Sequence, residues 1–267
     1  MKNRSQIAVK LVHSLCFLLF LGFLISCATE RPEGKTEAEV IFKEAKELKE
    51  DKHYLLATEK LNMIRSQFPY SYYATWAELL QADILFEQEA FVEAAAAYTL
   101  FRDFHPKHEK IIYVVWRIAE SHYMQLPDTF DRDLSPAYEA TKYFEELIYK
   151  YPKSEYVAKA QENIKNANEM LKKKEKYIAD FYYKTEVYRA ARYRYVDILK
   201  RPLFDQGLKD YYVERALMSS LLLKDKALCL QDYSILNTEV SPDKKSNISN
   251  IKSQCEQLPD KEEEDEA

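Results

Sequence analysis

Pairs of alanines twelve residues apart, each with a bulky residue one helical turn later and a proline beyond, constrain this chain most. Ala45 and Ala57 form one pair, Ala82 and Ala94 a second, Ala179 and Ala191 a third. Leu61, Tyr98 and Tyr195 stand four positions after the second alanine. Phe68-Pro69, His105-Pro106, Tyr151-Pro152 and Arg201-Pro202 close successive segments. Two antiparallel helices approach closely only where each presents a small side chain, and the bulky residue fills the space where they diverge. Proline cannot continue a helix, and it biases the preceding residue away from helical geometry, so it ends the second helix of each pair.

Such pairs with a closing proline form the tetratricopeptide pattern, a stack of helix hairpins of about 34 residues each. The expected fold is all-α, a tetratricopeptide-repeat solenoid of about five hairpins over residues 36–237. The hairpins read as 36–69, 72–106, 110–152, 155–202 and 205–237. In the third, Ala119 and Ala140 are twenty-one apart, and the surplus falls in a loop at residues 126–133. The fourth has a long first helix through Lys172-Lys173-Lys174. The fifth pairs Ala216 with Ala227, only eleven apart, as suits a terminal cap. Residues 238–267 turn polar and end in Glu262-Glu263-Glu264-Asp265-Glu266, a like-charge block expected to be disordered. A hairpin stack offers a concave groove lined by the first helix of each repeat. Tyr72, Tyr73, Phe86, Tyr113, Tyr123, Tyr182 and Tyr183 read mostly as core, with about a third of them facing that groove, where an extended peptide or partner helix would lie.

The amino terminus carries an address. Lys2, Arg4 and Lys10 make a basic head before an apolar stretch from Ser14 to Ser26. That stretch is about 13 residues, short of the roughly 20 needed for a membrane-spanning helix, so residues 1–26 read as a secretory signal. Leu24-Ile25-Ser26-Cys27 resembles the bacterial lipobox. The resemblance implies acylation of Cys27, and two or three acyl chains anchor durably where one does not. Ala28 follows the cysteine in place of an inner-membrane retention aspartate, which points to the periplasmic face of the outer membrane. Residues 27–35 then form a lipidated linker.

Composition narrows the chemistry. Removing residues 1–26 takes the net charge from −5 to −8, unsuited to tracking a phosphate backbone, so no nucleic-acid partner is expected. Gly22, Gly34 and Gly207 are the only glycines, too few for phosphate-cradling loops. His105 and His108 are close together but lack further ligands at a metal-binding spacing, and read as an inter-repeat loop. Asp128, Asp131 and Asp133 lack the turn glycine of a calcium loop. No metal, cofactor or enzymatic activity is expected. Cys229 sits in an apolar run and reads as core. A bridge to Cys255 is the alternative, contributing about 3 kcal/mol by chain entropy.

The lipobox, the five repeats and the insertion in the third together resemble the BamD family, lipoproteins of the β-barrel assembly machinery. The resemblance covers residue 24 to about 237. Its most specific pieces are Ser66-Gln67-Phe68-Pro69-Tyr70-Ser71-Tyr72-Tyr73-Ala74, Phe104-His105-Pro106-Lys107-His108, Asp131-Arg132-Asp133 and Ile178-Ala179-Asp180-Phe181-Tyr182-Tyr183-Lys184. It implies a non-enzymatic scaffold whose amino-terminal repeats meet unfolded outer-membrane protein segments and whose carboxy-terminal repeats dock a BamA-like barrel protein beside other assembly lipoproteins. Aligning Tyr188-Arg189-Ala190-Ala191-Arg192-Tyr193-Arg194-Tyr195 with the family's fourth repeat places its partner-binding arginine at Arg194. The turn before Tyr188 lacks the family's usual glycine, and Arg201-Pro202 closes the repeat one residue early. A lipoprotein of another envelope machine, such as a pilus or secretion pilotin, and a cell-wall enzyme accessory are the competing readings.

Overall fold

The structure is a computed structural model describing residues 31–201 and 206–260. The signal segment, Cys27, Pro202 and the acidic block from residue 261 onward lie outside those residues. Among the described residues there are eleven α-helices and no strand. They are α1 (Glu37–Glu50), α2 (Tyr54–Gln67), α3 (Tyr72–Glu87), α4 (Phe91–Phe104), α5 (Ile111–Tyr123), α6 (Ser135–Lys150), α7 (Val157–Lys184), α8 (Tyr188–Lys200), α9 (Lys209–Leu222), α10 (Lys226–Leu236) and α11 (Lys245–Glu256). Successive pairs from α1 to α10 fall where the five hairpins were expected.

Repeat arrays contact only their neighbours, and the chain divides into two compact units, residues 1–84 and 85–267, within α3. Each unit carries part of the repeat pattern expected over 36–237. In the first, Ile41 and Ala45 of α1, Ala57, Leu61 and Ile64 of α2, and Ala74, Ala77, Leu80 and Ile84 of α3 form one buried cluster. Thr36 caps α1 by accepting from the Glu39 amide at 3.2 Å. In the second unit each helix from α4 to α11 packs on the next. Ala119 and Ala140 meet in one core with Phe144, and Ala179, Ala191 and Tyr195 in another.

The turns repeat as closely as the helices. At the ends of α1, α3 and α7 the amides of His53, Ala90 and Val187 reach back to the carbonyls of Leu48, Leu85 and Tyr182. Each turn sets one residue in the left-handed region: Lys52 at φ 61°, Glu89 at 60° and Glu186 at 62°. This is the glycine-type helix stop built without glycine, so Glu186 occupies the conformation for which the missing glycine is suited. The closing prolines also act alike. Phe68, His105 and Tyr151 hold φ near −131°, −126° and −131°, outside helical geometry as a following proline demands.

Two expectations are corrected. Ala227 is exposed, and the buried small residue opposite Ala216 is Cys229. Asp225 caps α10 by accepting from the Leu228 amide at 3.0 Å, which starts the helix late and shifts its register by two. Residues 245–256 are helical, not disordered. Ile248, Ile251 and Cys255 recur at helical spacing and bury 1, 5 and 0 % exposed side chains against α9 and α10. Cys255 is disulfide-bonded to Cys229, so the bridge and the core position of Cys229 are both realised.

Candidate functional site

Arg194 lies on α8 in the fourth repeat. Ala191 and Tyr195 are fully buried, and Arg194 stands about 60° and about 100° from them around the helix, at the margin of the buried face. It is therefore half-exposed, not fully solvated. Its Nη1 lies 3.7 Å from Glu175 Oε2 on α7, too long for a hydrogen bond. Glu175 is also 3.2 Å from Arg201, which pairs with Asp197 at 2.5 Å. Arg201 thus keeps Glu175 paired if Arg194 turns outward. Beside it Tyr193 is 64 % exposed and Arg189 is exposed, giving the face a cation and an aromatic of the kinds enriched at interface hot spots.

Two polar networks hold that face in place. Asp180 of α7 accepts from the hydroxyls of Tyr195 and Tyr211, each at 2.7 Å, and from Lys176 at 2.5 Å. Burial alone raises its pKa, but the bonds from Lys176, Tyr211 and Tyr195 outweigh burial and hold the carboxyl below its ordinary range. Burial, then the bond to Asp180, pushes the Tyr195 phenol far above its usual value. The hub joins α7, α8 and α9. Behind α8, Arg192 grips Asp232 of α10 with two bonds, from Nε and Nη2, and Ser220 of α9 donates to the same carboxylate. Asp232 is 3 % exposed. Sequence gave one signal for these groups: Asp180 adjoins core Ala179. Arg192 and Asp232 are forty positions apart with no local pattern between them.

Cys27 lies outside the described residues. His105 and His108 sit in the α4–α5 connection with their rings 4.9 and 5.0 Å from that of Phe101. Asp133 accepts from the Ser135 amide and hydroxyl at the start of α6, and those bonds lower its pKa. Of the seven aromatics singled out, only Tyr72 is exposed, and the rest are half-buried. Among the described residues of the first unit, Tyr70, Leu55 and Leu56 are also exposed.

Residues 34–206 match the family YfiO, described as outer membrane lipoprotein. The chain is 29 % identical over 194 residues to the outer membrane protein assembly factor BamD of Rickettsia prowazekii, covering 72 % of this chain and 77 % of the relative. Against BamD of Vibrio cholerae it is 26 % identical over 198 residues, covering 70 % and 82 %. Against BamD of Neisseria gonorrhoeae it is 28 % identical over 191 residues, covering 65 % and 72 %.

Proposed function

The chain belongs to the YfiO family of outer membrane lipoproteins, and from that premise we propose that it is a non-enzymatic scaffold in outer-membrane protein assembly. The observation that carries the reading is the match over residues 34–206, which spans the first four repeats, joined to relatives named as assembly factors. In this reading Cys27 carries the lipid that holds the protein at the periplasmic face of the outer membrane. The amino-terminal unit offers exposed Leu55, Tyr70 and Tyr72 to unfolded barrel segments. The α8 face around Arg194 docks a BamA-like barrel partner in company with other assembly lipoproteins.

Arg194 supports this reading by its chemistry. Its guanidinium is held near Glu175 without a hydrogen bond, so a partner carboxylate that offers two parallel bonds competes well. Truncating one member of a desolvated charge pair costs about 2–5 kcal/mol, whereas a rim pair costs little. Arg194→Glu should weaken binding of the purified barrel partner at least about tenfold with a nearly unchanged melting temperature. Reversing the partner's acid should restore part of the loss. Unchanged affinity removes Arg194 from the interface.

A further inference from the structure

We propose that a cavity between α7, α8 and α9 is a docking pocket for an acidic side chain flanked by an aromatic one on a partner polypeptide. The cavity measures about 310 Å³, and its walls include Tyr183, Tyr188, Tyr195, Tyr211, Asp180 and Arg215. That volume is at the small end of ligand pockets and fits one or two side chains. All the lining residues belong to the second compact unit.

Arg215 sets the chemistry. Its Cζ lies 4.5 Å from the ring centroid of Tyr183 and 5.4 Å from that of Tyr211. The two rings orient the planar guanidinium by cation–π attraction. No carboxylate lies within ion-pairing distance of it among the described residues, although most other arginines of the structure have such a partner. The acid beside it, Asp180, is already satisfied by Lys176, Tyr195 and Tyr211. Glu186 and Lys184 on the exposed turn are opposite in sign. The pocket therefore holds one half-buried cation without a counter-ion among tyrosine faces. An incoming carboxylate meets the fork of Arg215 bidentately, and a neighbouring aromatic ring stacks against the tyrosines.

The inference rests on reading the chain as a binding protein and is independent of Arg194. Its test uses short probes and the purified protein alone, so its failure leaves the barrel-partner reading standing. The probes are N-acetyl-Phe-Glu-amide, its Phe-Gln counterpart and N-acetyl-Gly-Glu-amide, titrated while amide NMR signals of residues lining the cavity are followed. The Phe-Glu probe should bind at least about tenfold more tightly than either control, as one charge-assisted contact and one ring contact imply. Arg215→Gln should erase the difference between the Glu and Gln probes while α-helical content stays the same. Equal binding of the Glu and Gln probes to the unmodified protein overturns the proposal without relying on any variant. So does binding that appears only after residues 261–267 are removed, which assigns the pocket to the chain's own acidic segment.

Discussion

Arg192 and Arg194 lie two positions apart on α8 in contrasting surroundings. Arg192 is clamped to a buried carboxylate that also accepts from Ser220, while Arg194 hovers 3.7 Å from an acid that Arg201 already pairs. Removing one partner of a buried pair strands its charge and costs about 3–5 kcal/mol, whereas an exposed pair contributes about 0–1 kcal/mol. Arg192→Ala should therefore lower unfolding stability by several-fold more than Arg194→Ala in urea titrations. Equal losses would contradict this division of roles. Asp180 supplies a pH dependence. Its folded pKa lies below the ordinary 3.8, so the folded state favours the carboxylate, and this stability is fully present above the unfolded value. It is lost as pH falls through the depressed folded pKa. The stability gap between the wild type and Asp180→Asn should hold constant from pH 7 to about pH 5 and shrink below about pH 4. A gap that widens on acidification would mean the sign is wrong.

At the level of elements, the alanine pairs make a direct packing claim. Ala94 is fully buried on α4, so Ala94→Leu should cost roughly 1–3 kcal/mol by overpacking. Lys165→Ala on the exposed face of α7 should stay within about 0.5 kcal/mol. Thermal melts that rank the two equally would refute the register of the second repeat. The hairpins were legible because a small residue, a bulky residue and a proline recur at local spacings that sterics enforce. The end of the array was not. Polar residues between Asn237 and Lys245 hid the stripe of Ile248, Ile251 and Cys255, which gains meaning only when α9 and α10 supply a surface to cover. Ala227 misled for a related reason: the cap by Asp225, not the alanine, decides where α10 begins. The site divides likewise. The resemblance pointed to Arg194, whereas its approach to Glu175 and the pairing of Arg192 with Asp232 depend on helices brought together by folding. Cys229 and Cys255 close a segment with a sequence separation of 26, worth about 3 kcal/mol by chain entropy. Reduction, or Cys255→Ser, should lower stability by about that amount and expose α11 to protease first. An unchanged melt under reductant would mean that apolar burial alone holds α11.

At the scale of the whole molecule, the described residues are all-α with four non-glycine residues in the left-handed region, and residues 34–206 match a family of outer membrane lipoproteins. These features accord with the scaffold proposed above. Among the described residues no cluster of three His, Cys, Asp or Glu side chains is placed to hold a metal, and no helix is long and apolar enough to cross a membrane. The assembly reading meets its most direct test in co-isolation of the full-length tagged protein from detergent-solubilised outer membranes, with mass spectrometry of the bound proteins. The account predicts a large β-barrel protein with periplasmic repeats as the dominant partner, recovered much less with Arg194→Glu. A secretin ring or peptidoglycan fragments in place of that barrel would contradict it.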